Sequence, residues 1–237
     1  MRNGGLVMMA GSALALAGCG EQVADAQQQQ VTAPIGASAP VAPSAVAGPE
    51  LRILALGDSL FAGYGLQQGE GYPERLEEAL RERGVNARVS NAGVSGDTSA
   101  AGLQRLGFVL DNEKETPDLA LVELGANDML RGIPPEQTRA NLDAILTELD
   151  RRGIPAVLMG LRAPPNLGSA YVAQFDAIYR ELAQKHDAAL VPFLIEAVWG
   201  RPELIQADRL HPTAQGIDAL VDATIGGVAE ALPEVTE

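Results

Sequence analysis

Ser59 and His211 are residue types from which nucleophilic chemistry is built. A serine hydroxyl attacks a carbonyl only when a base takes its proton, and imidazole, which ordinarily titrates near neutrality, can take it and return it to a leaving group. His211 lies in the run Asp208-Arg209-Leu210-His211-Pro212. Asp208, three residues earlier, can reach back in a tight loop, hold the ring through Nδ1 and favour the imidazolium that forms. Ser59 stands in Gly57-Asp58-Ser59-Leu60, directly after an apolar run from Ile53 to Leu56. Gly93 and Asn127 would complete such a site. A developing oxyanion needs donors: a backbone N–H where no side chain intrudes, an amide side chain and, as a third, the Ser59 N–H. Each residue also has a purely structural explanation. The glycine-serine and Asn127-Asp128 stretches suit turns, and Asp208 or Thr213 could cap a helix with His211 incidental. His186, the second histidine, lies beside Lys185 and Asp187 at an expected helix end, where a solvated or dipole-facing role is expected.

These residues need a scaffold that brings distant segments to one edge. From Leu51 onward, apolar runs alternate with amphipathic segments. Strands are expected at Leu51–Gly57, Ala87–Asn91, Leu119–Leu124, Ala156–Met159 and Leu190–Leu194. Helices are expected at Tyr72–Arg83, Thr98–Leu110, Glu136–Arg152, Ser169–Lys185 and Thr213–Ala231, the last weakened in its second half by Gly226 and Gly227. The clearest is the third, with Leu142, Ile145, Leu146 and Leu149 at helical spacing. Near-continuous apolar strands alternating with helices imply a parallel sheet covered on both faces. Every strand then ends at one rim, so Ser59, Gly93 and Asn127, each just past a strand, can share a site there. Met129–Gly132 and Pro164–Gly168, also past strand ends, are candidate walls. Asp58, Met129, Leu130, Pro165 and Leu167 are the substrate-binding candidates.

Composition narrows the function classes. The chain of 237 residues carries 17 Lys and Arg against 31 Asp and Glu, a net charge of -14. That excludes the basic face a nucleic-acid partner needs and a polybasic membrane patch, and suits a soluble, self-repelling surface. Aromatics make up only 4% of the chain, too few for a base-stacking platform or a ring-lined carbohydrate cleft. There is no His–Cys cluster, HExxH or P-loop, so no metal or cofactor is expected; the GxSxG elbow and SxxK pattern are absent around Ser59.

The start of the chain reads differently. An apolar stretch from Leu6 to Ala17 follows Arg2, too short to span a bilayer and composed like a signal-peptide core. Leu16-Ala17-Gly18-Cys19 resembles a bacterial lipobox, with Cys19, the single cysteine, as the lipidation site. The ordinary alternative is a secretory signal with an incidental cysteine. Residues 19–49, rich in Gln, Ala, Pro and Ser, read as a disordered tether. About thirty such residues span about 30 Å as a coil. The expected organisation is a lipoprotein signal over 1–18, the tether, and one folded domain over 51–237. The expected location is the periplasm, anchored to a membrane only through the lipid, the outer membrane favoured over the inner, with the protein a monomer.

Gly57-Asp58-Ser59-Leu60, Gly93, Gly125-Ala126-Asn127-Asp128 and Asp208-Arg209-Leu210-His211-Pro212 together resemble the four blocks of the SGNH (GDSL) hydrolases, in that family's order. LGDSLFAGYGL, NAGVSGDTSAAGLQRL and LVELGANDMLRG are similar to its bacterial thioesterase I, arylesterase and lysophospholipase subgroup. The resemblance runs from Leu51 to the final helix. It implies a three-layer α/β/α flavodoxin-like fold, five parallel strands in order 2-1-3-4-5. It also implies Ser59 as nucleophile with Asp208 and His211, and Ser59, Gly93 and Asn127 as oxyanion donors. Ala126 stands where relatives often carry glycine, which bears on acyl preference. The implied activity is a serine esterase acting on carboxylic esters of aryl and short-to-medium acyl type through an acyl-enzyme. Thioesters remain open, although an exported enzyme does not meet acyl-CoA. Lysophospholipid hydrolysis and carbohydrate deacetylation are alternatives within the family. A non-catalytic lipid-binding lipoprotein is the alternative outside it, and the complete residue set argues against it.

Overall fold

The computed structural model describes residues 46–234. The expected signal peptide, Cys19 and the tether up to residue 45 lie outside the described residues. Five strands form one parallel sheet: β1 (Leu51–Gly57), β2 (Ala87–Gly93), β3 (Leu119–Glu123), β4 (Ala156–Met159) and β5 (Ala189–Val191). Their order is β2-β1-β3-β4-β5. Six α-helices accompany them: α1 (Tyr72–Glu82), α2 (Ser99–Asn112), α3 (Ala126–Leu130), α4 (Pro135–Arg151), α5 (Ser169–Lys185) and α6 (Ala214–Ala231).

Alternation along β1 and β3 divides the core in two. Leu54, Leu56, Ala120 and Val122 face the side packed with Leu106, Leu142, Ile145 and Phe175 of α2, α4 and α5. Ile53, Ala55, Leu119 and Leu121 face Leu76, Leu80, Ile217 and Leu220 of α1 and α6. A sheet with two dry faces explains why these strands read as unbroken apolar runs. The chain crosses from β1 outward to β2 and returns past β1 to β3. The C-terminal end of β1 is therefore the point where the crossovers diverge and a crevice opens.

One expected boundary is corrected. β5 stops at Val191 rather than Leu194. Pro192 has no N–H for the ladder, and the chain turns back so that Leu194 N donates to the Gly160 carbonyl at 2.8 Å. α6 runs to Ala231 as expected, continuous through Gly226 and Gly227; the buried face of Leu220, Val221, Ile225 and Val228 outweighs the glycine penalty of about 1 kcal/mol each. The five-residue α3, directly after β3, is too short to show a period and was not expected.

Candidate active site

Ser59 sits on the first turn beyond β1. Ala62 N donates to the Asp58 carbonyl at 2.9 Å and Tyr64 N to the Ser59 carbonyl at 3.0 Å, so the chain coils tightly and leaves Ser59 half-buried at the rim. The Gly57 carbonyl accepts from Val94 N and from Arg105 Nη2, each at 3.0 Å. Arg105 Nε meanwhile binds Asp97 at 2.6 Å, tying α2 and the loop after β2 to the end of β1.

Asp208 and His211 come from the loop before α6, folded back by an isolated bridge between Ile205 and Pro212. Arg209 takes a left-handed φ of 61°, which lets Asp208 Oδ1 accept from Leu210 N at 2.9 Å and His211 N at 3.0 Å. Its other oxygen stands 2.7 Å from His211 Nδ1, and His211 Nε2 stands 2.9 Å from Ser59 Oγ. The bonds from the His211 ring and backbone, then that from Leu210, hold the Asp208 carboxyl down at a pKa of about 2. It is thus ionised wherever the protein would work, and accepts a hydrogen bond from Nδ1–H, so that the bare Nε2 is free to take a proton from serine. The Tyr64 ring lies 4.4 Å from the His211 ring, and Gln206 Nε2 donates to the Tyr64 and Pro212 carbonyls, each at 2.8 Å, joining this loop to the one carrying Ser59.

Asn127 is the second residue of α3 and lines the same cavity as Ser59 and His211. One amide N–H is held by Asp58 Oδ2 at 2.9 Å, leaving the other for a ligand. Gly93 is a correction. It is the last residue of β2, paired with Gly57; its N–H is taken by Asn91 Oδ1 at 2.9 Å, and it does not line the cavity. Its lack of a side chain serves packing, since a Cβ there would overlap the Phe61–Ala62 backbone. Gly96 does line the cavity, in a turn closed by Asp97 N on the Val94 carbonyl at 3.1 Å, with a φ of 86°. A type II turn requires positive φ at that position, so glycine belongs there. Gly96 N–H makes no hydrogen bond among the described residues, and the Gly96 carbonyl is fixed by Arg131 Nη2 at 2.6 Å. The sequence carried a signal for it in Ser95-Gly96-Asp97, a turn just before the Thr98 helix cap.

The cavity holds about 390 Å³. Asp58, Met129 and Leu130 line it, Asp58 with its oxygens spent on Asn127 and Leu60. Pro165 and Leu167 do not; Pro164 does, because the short helical turn at Pro165–Leu167 carries them off to the surface. The apolar walls not foreseen are Leu161, Phe193, Ile195 and Trp199. Leu130, Trp199, Leu210 and Tyr64 are exposed at its mouth. Arg162 also stands there, 4.9 Å over the Phe193 ring.

His186 does not line this cavity; of the solvated and dipole-facing roles expected, its place at the C-terminal cap of α5 matches the second, and it is not solvated. Its side chain is 7% exposed, with Nε2 2.6 Å from Asp143 and Nδ1 2.5 Å from Asp150, across α4 and α5. Burial of the ring lowers its pKa, but the bonds to Asp143 and Asp150 together outweigh that and raise it.

A model of the GDSL-like lipase/acylhydrolase family matches residues 55–219. The arylesterase of Vibrio mimicus is 43% identical over 169 residues, 71% of this chain and 84% of its own. Thioesterase 1/protease 1/lysophospholipase L1 of Escherichia coli K12 is 39% identical over 170 residues, 72% of this chain and 79% of its own. Among solved structures, the SGNH-hydrolase family esterase AlinE4 is similar over its whole chain and 79% of this one, at 62% identity and a TM-score of 0.67.

Proposed function

The chain belongs to the GDSL-like lipase/acylhydrolase family and is a serine ester hydrolase, and from that premise we propose that Ser59 is its nucleophile and carboxylic esters of aryl and short-to-medium acyl type its substrates. The observation that carries the assignment is the unbroken relay from Asp208 through His211 to Ser59, opening onto an apolar cavity.

His211 Nε2 takes the Ser59 proton as Oγ bonds to the carbonyl carbon, and the oxyanion is met by the N–H groups of Ser59 and Gly96 and the amide of Asn127. Collapse breaks the ester bond, and His211 returns the proton to the leaving alkoxide or phenoxide. Water, deprotonated in turn by His211, attacks the acyl-enzyme and releases the carboxylic acid and free Ser59. Leu161, Phe193, Ile195 and Trp199 bury the acyl chain, at about 0.8 kcal/mol per methylene. The test is hydrolysis of p-nitrophenyl esters of graded chain length by wild type and Ser59→Ala. Wild type cleaves them and the variant loses nearly all activity; a wild type that cleaves none, or a fully active variant, overturns the reading.

A second reading is favoured by Arg162. It makes no ion pair among the described residues and stands at the cavity mouth, where the phosphate of a lysophospholipid would lie once the acyl chain is seated. The similar Escherichia coli protein is named a lysophospholipase as well as a thioesterase. Fatty-acid release from lysophosphatidylcholine that falls in Arg162→Gln, with p-nitrophenyl ester cleavage unchanged, supports it; equal rates in both proteins refute it. Export and lipidation at Cys19 are likewise proposed, supported by the lipobox-like run Leu16–Cys19. Mass spectrometry of the membrane fraction tests this, and an unmodified Cys19 in the mature protein rejects it.

A further inference from the structure

Beneath Ser59 two carboxyl groups meet out of water. Glu123, the last residue of β3, lies opposite Gly57, and the side chains of Glu123 and Asp58 are buried and hydrogen-bonded to each other. Asp58 N donates to Glu123 Oε2 at 3.1 Å. Gly57 makes the room, since a Cβ there would stand 2.9 Å from that oxygen and nearer still to the Phe61 ring.

The neighbouring groups are all engaged elsewhere. Arg105 reaches the same strand end but spends its bonds on the Gly57 carbonyl and Asp97. Tyr179, from α5, donates to the Leu124 carbonyl, and Asp128 is held by Ser99 and Thr138. Two buried carboxyls in contact cannot both ionise.

Their partners decide which one does. Asp58 accepts from Asn127 Nδ2 at 2.9 Å and Leu60 N at 3.3 Å, with Ser59 Oγ at 3.4 Å, whereas Glu123 accepts only the Asp58 N–H from the backbone. The ionised form belongs where the donors are, so the proton resides on Glu123. Burial and then the Asp58 charge push the Glu123 carboxyl well above the usual carboxylate range. Burial raises Asp58 as well, but hydrogen bonds from Leu60, Glu123 and Asn127 oppose it, the Ser59 hydroxyl proton being directed to His211.

We propose that Glu123 is a positioning residue for ester hydrolysis: as a neutral carboxylic acid it donates its O–H to Asp58 and pins that carboxylate, which in turn fixes the Asn127 amide for the oxyanion. The inference rests on the assignment of Asn127 above. It extends the donor set downward by two residues, from an amide at the rim to an acid in the core.

The test compares Glu123→Gln and Glu123→Leu, each alone and with Asn127→Ala, by kcat and KM on a p-nitrophenyl ester. Glutamine supplies an N–H for Asp58 and an oxygen for the Asp58 N–H, so Glu123→Gln keeps kcat within about threefold. Glu123→Leu lowers kcat about ten- to hundredfold, bounded by the 10²–10³ of a lost oxyanion donor, with KM within about twofold. In the Asn127→Ala background Glu123→Leu costs less than about threefold more, because residues acting as a unit are not additive. A glutamine variant as impaired as the leucine variant, a leucine variant of normal kcat, or additive losses overturn the proposal.

Infrared spectroscopy reads the proton directly and needs no turnover. Wild type at pH 7 shows a protonated-carboxyl C=O band that Glu123→Gln lacks, and absence of the band in wild type overturns the proposal even if the leucine variant does not fold. Failure of the underlying esterase assignment would appear separately, as activity surviving in Ser59→Ala.

Discussion

Gly93→Ala, at the end of β2, and Gly96→Ala, in the turn that follows, separate packing from catalysis. At Gly96 an added Cβ meets nothing closer than Arg131 Nη2 at 3.5 Å, so the cost comes from the backbone, whose φ is 86°. Holding an L-residue there costs about 1–2 kcal/mol. If the Ser95–Gly96 peptide rotates to relieve it, the fraction keeping the N–H aimed at the cavity falls by the same energy, about 5- to 30-fold. Complete loss of the donor would cost about 10²–10³. Thus kcat of Gly96→Ala should drop at least fivefold, and its Tm should fall by about 2–8 °C for a domain of this size. At Gly93 the Cβ lands on the Phe61–Ala62 backbone, an overpacking costing about 1–3 kcal/mol and about 2–12 °C of Tm. With folded protein at low temperature its kcat should stay within about threefold. The assay is p-nitrophenyl butyrate hydrolysis beside thermal melts of both variants. If Gly96→Ala retains normal kcat while Gly93→Ala loses tens-fold at little cost in Tm, the donor is Gly93 and the reasoning fails.

Asp208→Asn should keep the Oδ1 bonds to Leu210 and His211 N–H and so turn an N–H toward Nδ1, fixing the tautomer that cannot accept the Ser59 proton. Steady-state kinetics should record a kcat loss of about 10³, below the 10⁴ of a buried serine-protease triad because the Asp208 side chain is 38% exposed; a loss under tenfold would contradict that role. Because the Asp208 carboxyl is held at about 2, no acid limb above pH 4 should arise from it, and the wild-type pH–rate profile checks this. The His186 clamp has a raised pKa, so its stabilisation is full below pH ~6.5 and lost as pH rises through the raised value. His186→Gln should therefore lower Tm by a few degrees at pH 6 and by clearly less at pH 9; equal shifts at the two pH values would refute the clamp. Leu161→Trp should shorten the preferred p-nitrophenyl ester by several carbons, since Leu161 lines a cavity of about 390 Å³; an unchanged chain-length profile would place the acyl group elsewhere.

Much of this was legible in the sequence for identifiable reasons. The β1 run Ile53–Leu56 and the α4 stripe of Leu142, Ile145, Leu146 and Leu149 each bury a continuous face, and burial is what periodicity encodes. Asp208 and His211 were legible because their contact is local, closed within three residues by backbone bonds. Gly96 was not: with the strand expected to end at Asn91, Gly93 falls just past it, whereas β2 runs on to Gly93 and the chain then makes a further turn before presenting the Gly96 N–H. The cavity walls Phe193, Ile195 and Trp199 lie in and at the ends of a five-residue 3-10 helix, Leu194–Val198, after a three-residue edge strand, and both elements are too short to show a period. Glu123 closes an apolar strand, and its partner is 65 residues away, visible only once the register of β1 and β3 is known.

A serine that carries the acyl group must also be captured by an ester analogue whose adduct does not turn over. Incubation with a p-nitrophenyl alkylphosphonate, followed by digestion and mass spectrometry, tests it most directly. The phosphorus takes the place of the ester carbonyl carbon, p-nitrophenolate leaves, and the adduct cannot be deacylated. A single phosphonyl group is expected on the peptide containing Ser59, with one p-nitrophenolate released per chain and no adduct in Ser59→Ala. Inhibition without a Ser59 adduct, or an adduct on another residue, would contradict it.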